Sequence, residues 1–512
     1  MSVLTSVVML DESVLASPDW TFRQPEEGML CGEKDGVNYL LVSDLRIDTL
    51  AAVQVDYEYL TRVKKVSCQG AALVSGELYY QILENLTLSS LTDNQSKSTE
   101  IQRQLEDLLT HATSLGASDV HITRREAIAT VELRINGVLI PDEQMLSTRC
   151  DEMVFVLYNV QASTKETTWN RSVPQSANIL YTLAGKKYRF RYAHFPIFGE
   201  TEGCYHAVLR IIPSGVRKSS LIDLREMGVS DAEALDMRRM LSNPYGAYLV
   251  SGTTGSGKST TLKVLMEWMQ RYRYDDKGSF LTIEDPVEYQ IAGARQSSVL
   301  DADDGGFHIA IKSALRRDPD VLMVGEIRDP ISANALSGAV ESGHYCFTTV
   351  HAGNIVTLLQ RLSALGMTSD KLSTPGFIAG LQCQKLLPVL CDHCKKPHPG
   401  AVLGGRTFDV YERNREGCEK CNYSGISSRQ LVIEYMRPTD PELEAISRQD
   451  WYGVYSQWRK KRQTVDTLAE GFDLREKAVA CVLAGRVCVS WFSLEFGDVE
   501  PENLEVLLGK IH

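Results

Sequence analysis

Residues 246–259 read Gly-Ala-Tyr-Leu-Val-Ser-Gly-Thr-Thr-Gly-Ser-Gly-Lys-Ser, an apolar run that leads directly into a glycine-rich turn. Residues 248–250 are strand formers, and residues 252–259 fit the pattern G-x-x-x-x-G-K-[ST]. The glycines let successive backbone N–H groups turn inward around an anion. Apolar residues recur at helical spacing in 260–271, so a helix begins here with its positive N-terminus facing the anion. The stretch predicts a strand, a phosphate-binding loop and a helix.

The fixed positions of this pattern predict specific roles. We expect Lys258 to contact the β- and γ-phosphates of a nucleotide and the Ser259 hydroxyl to ligate Mg²⁺. The alternative is a Gly/Ser linker that happens to contain a lysine, which the strand before it and the helix after it disfavour. The residues predicted to bind the nucleotide are Gly252, Thr253, Thr254, Gly255, Ser256, Gly257, Lys258, Ser259 and Thr260.

The composition is that of a soluble protein with several domains. A chain of 512 residues is too long for one core, and its 43% apolar and 23% charged residues are ordinary for globular proteins. The net charge of −12 argues against a protein whose main task is to bind nucleic acid. No apolar run approaches the roughly 18 residues of a membrane span, and the start lacks a basic targeting segment, so we expect a cytosolic protein.

Ahead of the phosphate loop, the patterns predict two further domains. Residues 1–95 alternate short apolar runs with turns and indicate a small α/β or β-rich module. Residues 101–115 form an amphipathic pattern, and the alternation in 131–138 predicts a hairpin that turns at Asn136-Gly137. With the β-rich block 179–212, these segments make a second domain, which ends at a polar joint in 213–220.

After this joint, short apolar runs alternate with helical patterns. Strands that alternate with helices predict a mostly parallel, doubly wound sheet. Beyond about residue 435 the pattern becomes mainly helical. The predicted strands are residues 248–250, 280–283, 321–324 and 345–350.

Two of these strands end in acidic residues. Residues 321–325 lead into Glu326, and residues 281–283 lead into a cluster with Glu284 and Glu288. Because ligands of open α/β sheets gather at the carboxyl ends of strands, we expect both clusters near the phosphates. Glu326 would hold Mg²⁺, directly or through water, and is a candidate general base, while Glu288 and Glu284 compete to orient the attacking water. The alternative is that all three are solvated charges.

Two histidines follow seven residues apart, His344 and His351. A histidine at the end of a strand is commonly a satisfied polar residue. On the next strand of this sheet, the pair could instead sense the γ-phosphate through hydrogen bonds.

Four of the twelve cysteines are clustered in two C-x-x-C pairs, and the other eight are scattered singly. Each pair can supply two corners of a tetrahedron, so together they predict a closed structural zinc site. A redox pair is the rival interpretation. The predicted zinc ligands are Cys391, Cys394, Cys418 and Cys421.

Taken together, these motifs resemble the secretion ATPases of type II secretion and type IV pilus assembly. The family's Walker A, Asp box, Walker B and His box correspond to Gly252–Ser259, Glu284–Glu288, Val321–Glu326 and His344–His351. The resemblance covers residues 100 to 430 and includes the cysteine pairs. It is weak in the first 90 and last 70 residues.

The resemblance implies a hexameric cytoplasmic motor in which ATP lies between a PAS-like domain and a RecA-like ATPase domain. Hydrolysis that depends on Mg²⁺ moves one domain against the other, and the motion reaches an inner-membrane platform protein, with a cytoplasmic docking protein as a further partner. The implied boundaries are 1–95 for the N-terminal module, 96–218 for the PAS-like domain and 222–512 for the ATPase domain. The last contains a zinc subdomain at 385–432 and a helical region at 435–512.

Family members also direct arginines of the PAS-like domain at the γ-phosphate, and Arg191 and Arg210 fit that pattern. Ordinary solvated arginines on strands are the alternative. The four-cysteine site is typical of assembly and secretion members and favours assembly over retraction. Departures such as Ser251 and Thr254 around the first glycine of the loop, where the family usually has Thr and Pro, indicate a divergent branch, such as a type IVb or plasmid conjugative thin-pilus system.

Two alternatives remain beside a pilus-assembly or secretion motor. One is a retraction motor or conjugation-channel ATPase of the same superfamily. The other is a RecA-like translocase on nucleic acid, which would require stimulation by DNA and a steep dependence on salt.

Overall fold

The structure is a computed structural model. It describes residues 7–10, 20–26, 29–43, 53, 57–58, 61, 66–75, 78–79, 82, 100–165, 168–199, 203–213, 223–299 and 306–511. The chain divides into two compact units, residues 1–106 and 107–512. The boundary predicted near residue 95 and most of the joint at 213–220 lie outside the described residues, so the three-domain division stays a prediction.

The first unit contains a five-stranded sheet whose strands are arranged in the order β1-β5-β4-β3-β2. β1 and β4 run parallel to β5, and the other neighbours are antiparallel. Leu30, Leu41 and Ala72 are buried in its core. The strands are β1 (Val7–Met9), β2 (Trp20–Glu26), β3 (Met29–Lys34), β4 (Val37–Ser43) and β5 (Cys68–Val74).

The second unit begins with a seven-stranded antiparallel sheet, here called the β-rich sheet, in the order β8-β7-β6-β12-β11-β10-β9. The predicted hairpin is confirmed: β7 turns into β8 at Asn136 and Gly137, which both have positive φ angles as such tight turns require. The predicted helix, α1, extends over residues 100–114 and crosses the boundary between the two units. The further elements are β6 (Asp119–Arg124), β7 (Ile128–Ile135), β8 (Val138–Leu146), α2 (Ser147–Val156), β9 (Ala162–Lys165), β10 (Gln175–Leu183), β11 (Lys186–Pro196) and β12 (Tyr205–Pro213).

A second seven-stranded sheet, here called the parallel sheet, has the order β15-β14-β16-β17-β13-β18-β21. All four strands predicted in this region are present, and every neighbouring pair is parallel except β18 and β21. The strands are β13 (Gly246–Ser251), β14 (Phe280–Glu284), β15 (Ala294–Ser298), β16 (Val321–Val324), β17 (Tyr345–Val350), β18 (Ile378–Leu390) and β21 (Ile426–Met436). A separate two-stranded sheet joins β19 (Lys396–Leu403) to β20 (Arg406–Glu412).

The parallel sheet is buried on both faces, which explains why its strands read as continuous apolar runs. Tyr248 and Val250 pack into one core, and Leu249, between them, packs into the core on the other face. The helices around the sheet are α3 (Asp231–Leu241), α4 (Lys258–Tyr272), α5 (Gly306–Leu315), α6 (Pro330–Glu341), α7 (Ile355–Ala364), α8 (Ser369–Leu372), α9 (Asp440–Ser447), α10 (Trp451–Lys460), α11 (Leu474–Leu483), α12 (Val489–Phe496) and α13 (Pro501–Leu508).

The architecture is therefore α/β, as predicted, with a mostly parallel sheet and helices following its last strand. Within the part of the chain that the structure describes, each helix is too short or too polar to cross a membrane.

Candidate nucleotide site

The glycine-rich loop joins the carboxyl end of β13 to the first residue of α4. Gly252, Gly255 and Gly257 have φ angles of +146°, +78° and +88°, which residues other than glycine rarely adopt. A Cβ atom on Gly252 would lie 2.5 Å from the Gln384 carbonyl oxygen, so this glycine also allows two segments of backbone to approach closely. A Cβ on Gly255 would meet nothing within 4 Å, so the loop is open on this side.

The side chains of the loop suit an anion with a bound cation. Lys258 lies at the N-terminus of α4, where its Nζ donates hydrogen bonds to the carbonyl oxygens of Gly252 at 2.8 Å and Thr253 at 3.2 Å. Burial lowers the pKa of Lys258, although the nearby carboxylates of Glu326 and Glu288 oppose the shift. Ser259 and Thr260 are exposed beside it. An open cradle, a helix N-terminus, a lysine and an exposed hydroxyl fit a phosphate group and Mg²⁺.

The phosphate loop and the two acidic strand ends lie at one edge of the parallel sheet. β14, β16, β17 and β13 are consecutive neighbours, and all four run in the same direction. Glu284 ends β14, Glu326 follows β16, and His351 follows β17. This edge is called the carboxyl edge below, and the structure brings the residues there together with Lys258.

Glu326 is held by two neighbours. His351 Nε2 lies 3.1 Å from one of its carboxylate oxygens, and Arg328 donates to the other at 2.9 Å. Arg328 also lies 4.0 Å from Asp285. Sequence reasoning missed Arg328, although its position two residues beyond Glu326 was a signal that could have found it.

Glu284 is buried, and one of its oxygens is fully engaged. The Thr282 hydroxyl donates to it at 2.6 Å and the Gln296 amide at 2.9 Å. Burial raises the pKa of Glu284 in spite of these two hydrogen bonds. Glu284 is therefore buried and bonded to neutral side chains, whereas the neighbours of Glu326 are an arginine and a histidine.

Glu288 faces the β-rich sheet. Arg191 Nη1 lies 3.8 Å from its carboxylate, and Arg189 Nη1 donates to the neighbouring Val287 carbonyl at 2.6 Å. Arg189 was not among the predicted site residues. Its distance of about 100 positions along the chain from Val287 left no local pattern that could have revealed the contact.

Arg210 lies directly opposite Arg191, on β12. Its Nε donates to Asp119 at 3.1 Å, and about half of the side chain is exposed. Tyr289 lies within electrostatic range of both Arg210 and Glu288, although burial is the main reason that its pKa is raised. Arg191 and Arg210 therefore border the segment that carries Glu288, on the side of the β-rich sheet.

His344 is not with the other predicted site residues. It precedes the first residue of β17, and its Nδ1 is bonded to the Ala339 carbonyl at 3.0 Å. The six residues of β17 that separate it from His351 span about 20 Å, so the two histidines lie at opposite edges of the sheet. The strand between them therefore contradicts the expectation that both histidines of one chain act at the same phosphate.

The four clustered cysteines lie together beyond the carboxyl end of β18. Their sulfur atoms are all within 4.8 Å of one another, with 3.8 Å between Cys391 and Cys418 and 3.8 Å between Cys394 and Cys421. Zinc–sulfur bonds of about 2.3 Å in a tetrahedron place sulfur atoms about 3.8 Å apart, so the donor set fits zinc. Burial disfavours the thiolate, yet N–H groups of Cys418 and Gly425 lower the pKa of Cys421 to about 7.

The family model described as "Type II/IV secretion system protein" matches residues 94–480. The type II secretion system protein E of Dickeya dadantii is 30% identical over 373 residues, which cover 72% of each chain. The type IV pilus assembly ATPase PilB of Thermus thermophilus is 29% identical over 360 residues, 67% of this chain and 38% of that protein.

The crystal structure of the Legionella pneumophila ATPase DotB has a similar fold, with a TM-score of 0.55 at 21% identity over 75% of this chain and 93% of that one. The family model matches well over half of the chain and includes the phosphate loop, both acidic strand ends and all four clustered cysteines. This chain therefore belongs to the type II/IV secretion system protein family.

Proposed function

We propose that this chain is a Mg²⁺-dependent ATPase that works as a hexamer and powers assembly of a type IV pilus or a type II secretion pseudopilus. The proposal rests mainly on one observation: Lys258, Glu326 and His351 lie at one edge of a parallel sheet, beside a loop with the geometry of a phosphate cradle. The names of the relatives, a secretion protein and a pilus assembly ATPase, support the choice of process.

Each residue of the site has a role in this proposal. The loop N–H groups and the Lys258 ammonium bind the phosphate oxygens, and the Ser259 hydroxyl and Glu326 carboxylate hold the cation directly or through water. When bound, Mg²⁺ neutralises charge on the phosphate oxygens. His351 orients the Glu326 carboxylate through the contact of 3.1 Å.

The water that attacks the phosphate needs a carboxylate that orients it and accepts its proton. Glu326 and Glu288 are the two candidates that lie within electrostatic range of Lys258. His351 and Arg328 fix the orientation of the Glu326 carboxylate, as outer-shell partners of metal ligands do, so we assign Glu326 to the metal and Glu288 to the water. Arg191 lies 3.8 Å from Glu288 and would also be available to stabilise charge on the phosphate.

The contact between Arg189 and Val287 suggests how hydrolysis is linked to motion. In this proposal the β-rich sheet is the PAS-like domain, the parallel sheet belongs to the RecA-like domain, and ATP lies between them. A change at Glu288 would reach Arg189 and Arg191, and through them the β-rich sheet. The platform protein of the inner membrane, and a cytoplasmic docking protein, would receive the motion. The protein would thus work in the cytoplasm against the membrane surface.

Side-by-side measurement of Glu326→Gln and Glu288→Gln tests the function and the division of roles. We expect both variants to lose at least about 100-fold in ATP hydrolysis, and cells that carry them to make no pilus or secrete no substrate. Glu288→Gln should still bind Mg·ATP with unchanged affinity, whereas Glu326→Gln should need more Mg²⁺. Wild-type protein that binds Mg·ATP in assembled rings yet never releases phosphate would refute the function. A Mg²⁺ defect in Glu288→Gln alone would reverse the roles.

We also assign a structural Zn²⁺ to the four cysteines, because a closed set of four thiolates leaves no position open for catalysis. Such a site suits a protein in a reducing compartment, where paired cysteines stay free of disulfides. Metal analysis of the purified protein should find one zinc per chain, and Cys418→Ser should lose it.

A further inference from the structure

Gln296 lies in the middle of β15, the edge strand of the parallel sheet, directly beside Thr282 of β14. Its side-chain amide has two donor hydrogens and one acceptor oxygen, and the structure uses all of them. One hydrogen is donated to the Glu284 carboxylate at 2.9 Å and the other to the Tyr289 carbonyl at 2.8 Å. The oxygen accepts a hydrogen bond from the Ile291 N–H at 2.8 Å.

These three partners lie on one short segment or directly before it. Residues 285–291 leave β14 after Glu284 and return towards β15, and they carry Glu288 at their centre. Gln296 therefore fixes the residue before the segment and two backbone groups in its second half. A further contact from β15 is made by Ser298, whose hydroxyl accepts from the Val287 N–H at 3.2 Å.

These hydrogen bonds give the carboxyl groups of Glu284 and Glu288 different roles. Glu284 is buried, and one of its oxygens accepts from both Thr282 and Gln296, so it serves as an anchor at the start of the segment. Glu288 is partly exposed, and its ion-pair neighbour among the described residues is Arg191 at 3.8 Å. The position of the Glu288 carboxylate therefore depends on how the segment 285–291 is held.

We propose that Gln296 is a positioning residue for hydrolysis: by bonding Glu284, Tyr289 and Ile291 at once, it sets the place of Glu288 relative to the phosphate loop. The proposal rests on the ATPase function proposed above. It predicts that loss of the amide affects the chemical step while nucleotide binding, which depends on Lys258 and the loop, stays intact.

Gln270, on α4, offers a matched control. It is a buried glutamine whose Nε2 donates to the carbonyl oxygens of Gly278 at 3.0 Å and Gly293 at 3.3 Å. These bonds hold Gly278, two residues before β14, and Gly293, directly before β15, rather than Glu284 or the segment 285–291. Gln270→Ala therefore tests the effect of losing a buried amide alone.

The experiment compares Gln296→Ala, Gln296→Glu and Gln270→Ala in the full chain. Gln296→Glu keeps the size of the side chain and an oxygen for the Ile291 N–H, but it lacks the two donor hydrogens. Steady-state hydrolysis gives kcat and KM for ATP. Backbone hydrogen exchange in 285–291, measured on nucleotide-free protein, reports how firmly the segment is held. This measurement does not depend on ATPase activity.

We expect both Gln296 variants to lose about tenfold in kcat, with KM for ATP within about twofold of wild type. Exchange in 285–291 should become faster in Gln296→Ala. Gln270→Ala should keep kcat within about twofold, whatever its loss in thermal stability. Equal losses of kcat in Gln270→Ala and Gln296→Ala, or unchanged exchange in Gln296→Ala, would overturn the inference. Wild-type protein without ATPase activity would refute the proposed function instead, while the exchange data would still decide whether Gln296 holds the segment.

Discussion

At the carboxyl edge of the parallel sheet, His351 lies 3.1 Å from Glu326, in a group of charged side chains that includes Lys258. The opposite edge, where the parallel strands begin, is called the amino edge. There His344 lies just beyond the end of α6 and is bonded to the Ala339 carbonyl at 3.0 Å. Both histidines belong to one short motif of sequence. The difference shows that a spacing of seven across a strand separates residues that the same spacing on a helix would bring together.

The two edges of the sheet also differ in the loops and helix ends that lie there. At the carboxyl edge, β13 leads through the glycine loop into the N-terminus of α4, where Lys258 lies near the carboxylates of Glu326 and Glu288. At the amino edge, His344 and Gly343 close the last turn of α6 through hydrogen bonds to Ala339 and Val340. The first arrangement is suited to an anionic ligand, and the second completes a helix.

The largest effect should come from the carboxyl edge itself, with Lys258→Ala. Loss of the ammonium group removes the main positive charge beside the loop, so we expect ATP hydrolysis to fall about a thousandfold. Phosphate release by the purified protein measures the effect. Lys277→Ala, which removes an exposed lysine paired with Asp275, is the control and should stay within about twofold of wild type. A mutant that retains a tenth of the activity would contradict the role of Lys258.

A backbone change gives the next largest effect. Gly252→Ala puts a Cβ 2.5 Å from the Gln384 carbonyl oxygen at a φ of +146°, and Gly343→Ala puts one in open space at a φ of +90°. Strain alone costs about 1–3 kcal/mol at either site, and the clash at Gly252 adds to it. We expect Gly252→Ala to lower the free energy of unfolding by more than Gly343→Ala and to lose ATPase activity as well.

Urea unfolding and phosphate release measure both quantities. Gly343→Ala should unfold more easily than wild type but hydrolyse ATP at a normal rate per folded molecule. If Gly343→Ala lost as much ATPase activity per folded molecule as Gly252→Ala, the proposed difference between the two edges would be wrong.

The sequence was sufficient for the features that depend on local pattern. The glycine loop, the four strands around it and the hairpin at Asn136-Gly137 each have a signal within a few residues, because turn chemistry and apolar runs act locally. The convergence of Glu326 with Lys258 followed from the rule for carboxyl ends of parallel strands.

The contacts of Arg189 and Gln296 could not be predicted in this way. Arg189 contacts Val287 only because the β-rich sheet lies against the segment 285–291. The sequence around neither residue reveals that arrangement. Gln296 reaches Glu284 through the pairing of β14 with β15, and the intervening residues 285–293 have no strand or helix pattern from which the pairing could be read. The placement of His344 was different, since counting six residues of strand would have separated it from His351 beforehand.

The smallest effects distinguish the two histidines most sharply. His351→Ala removes a neighbour that orients Glu326, so we expect kcat for ATP hydrolysis to fall about tenfold with little change in stability, because the side chain is about half exposed. His344→Ala removes one hydrogen bond to Ala339, which should lower the free energy of unfolding by about 1 kcal/mol and leave kcat within about twofold. Paired measurements of kcat and urea unfolding on the two variants check this. If His344→Ala reduced kcat as much as His351→Ala did, then both edges of the sheet would have to serve the reaction. A second nucleotide contact, from another copy of the chain, would then have to reach the amino edge.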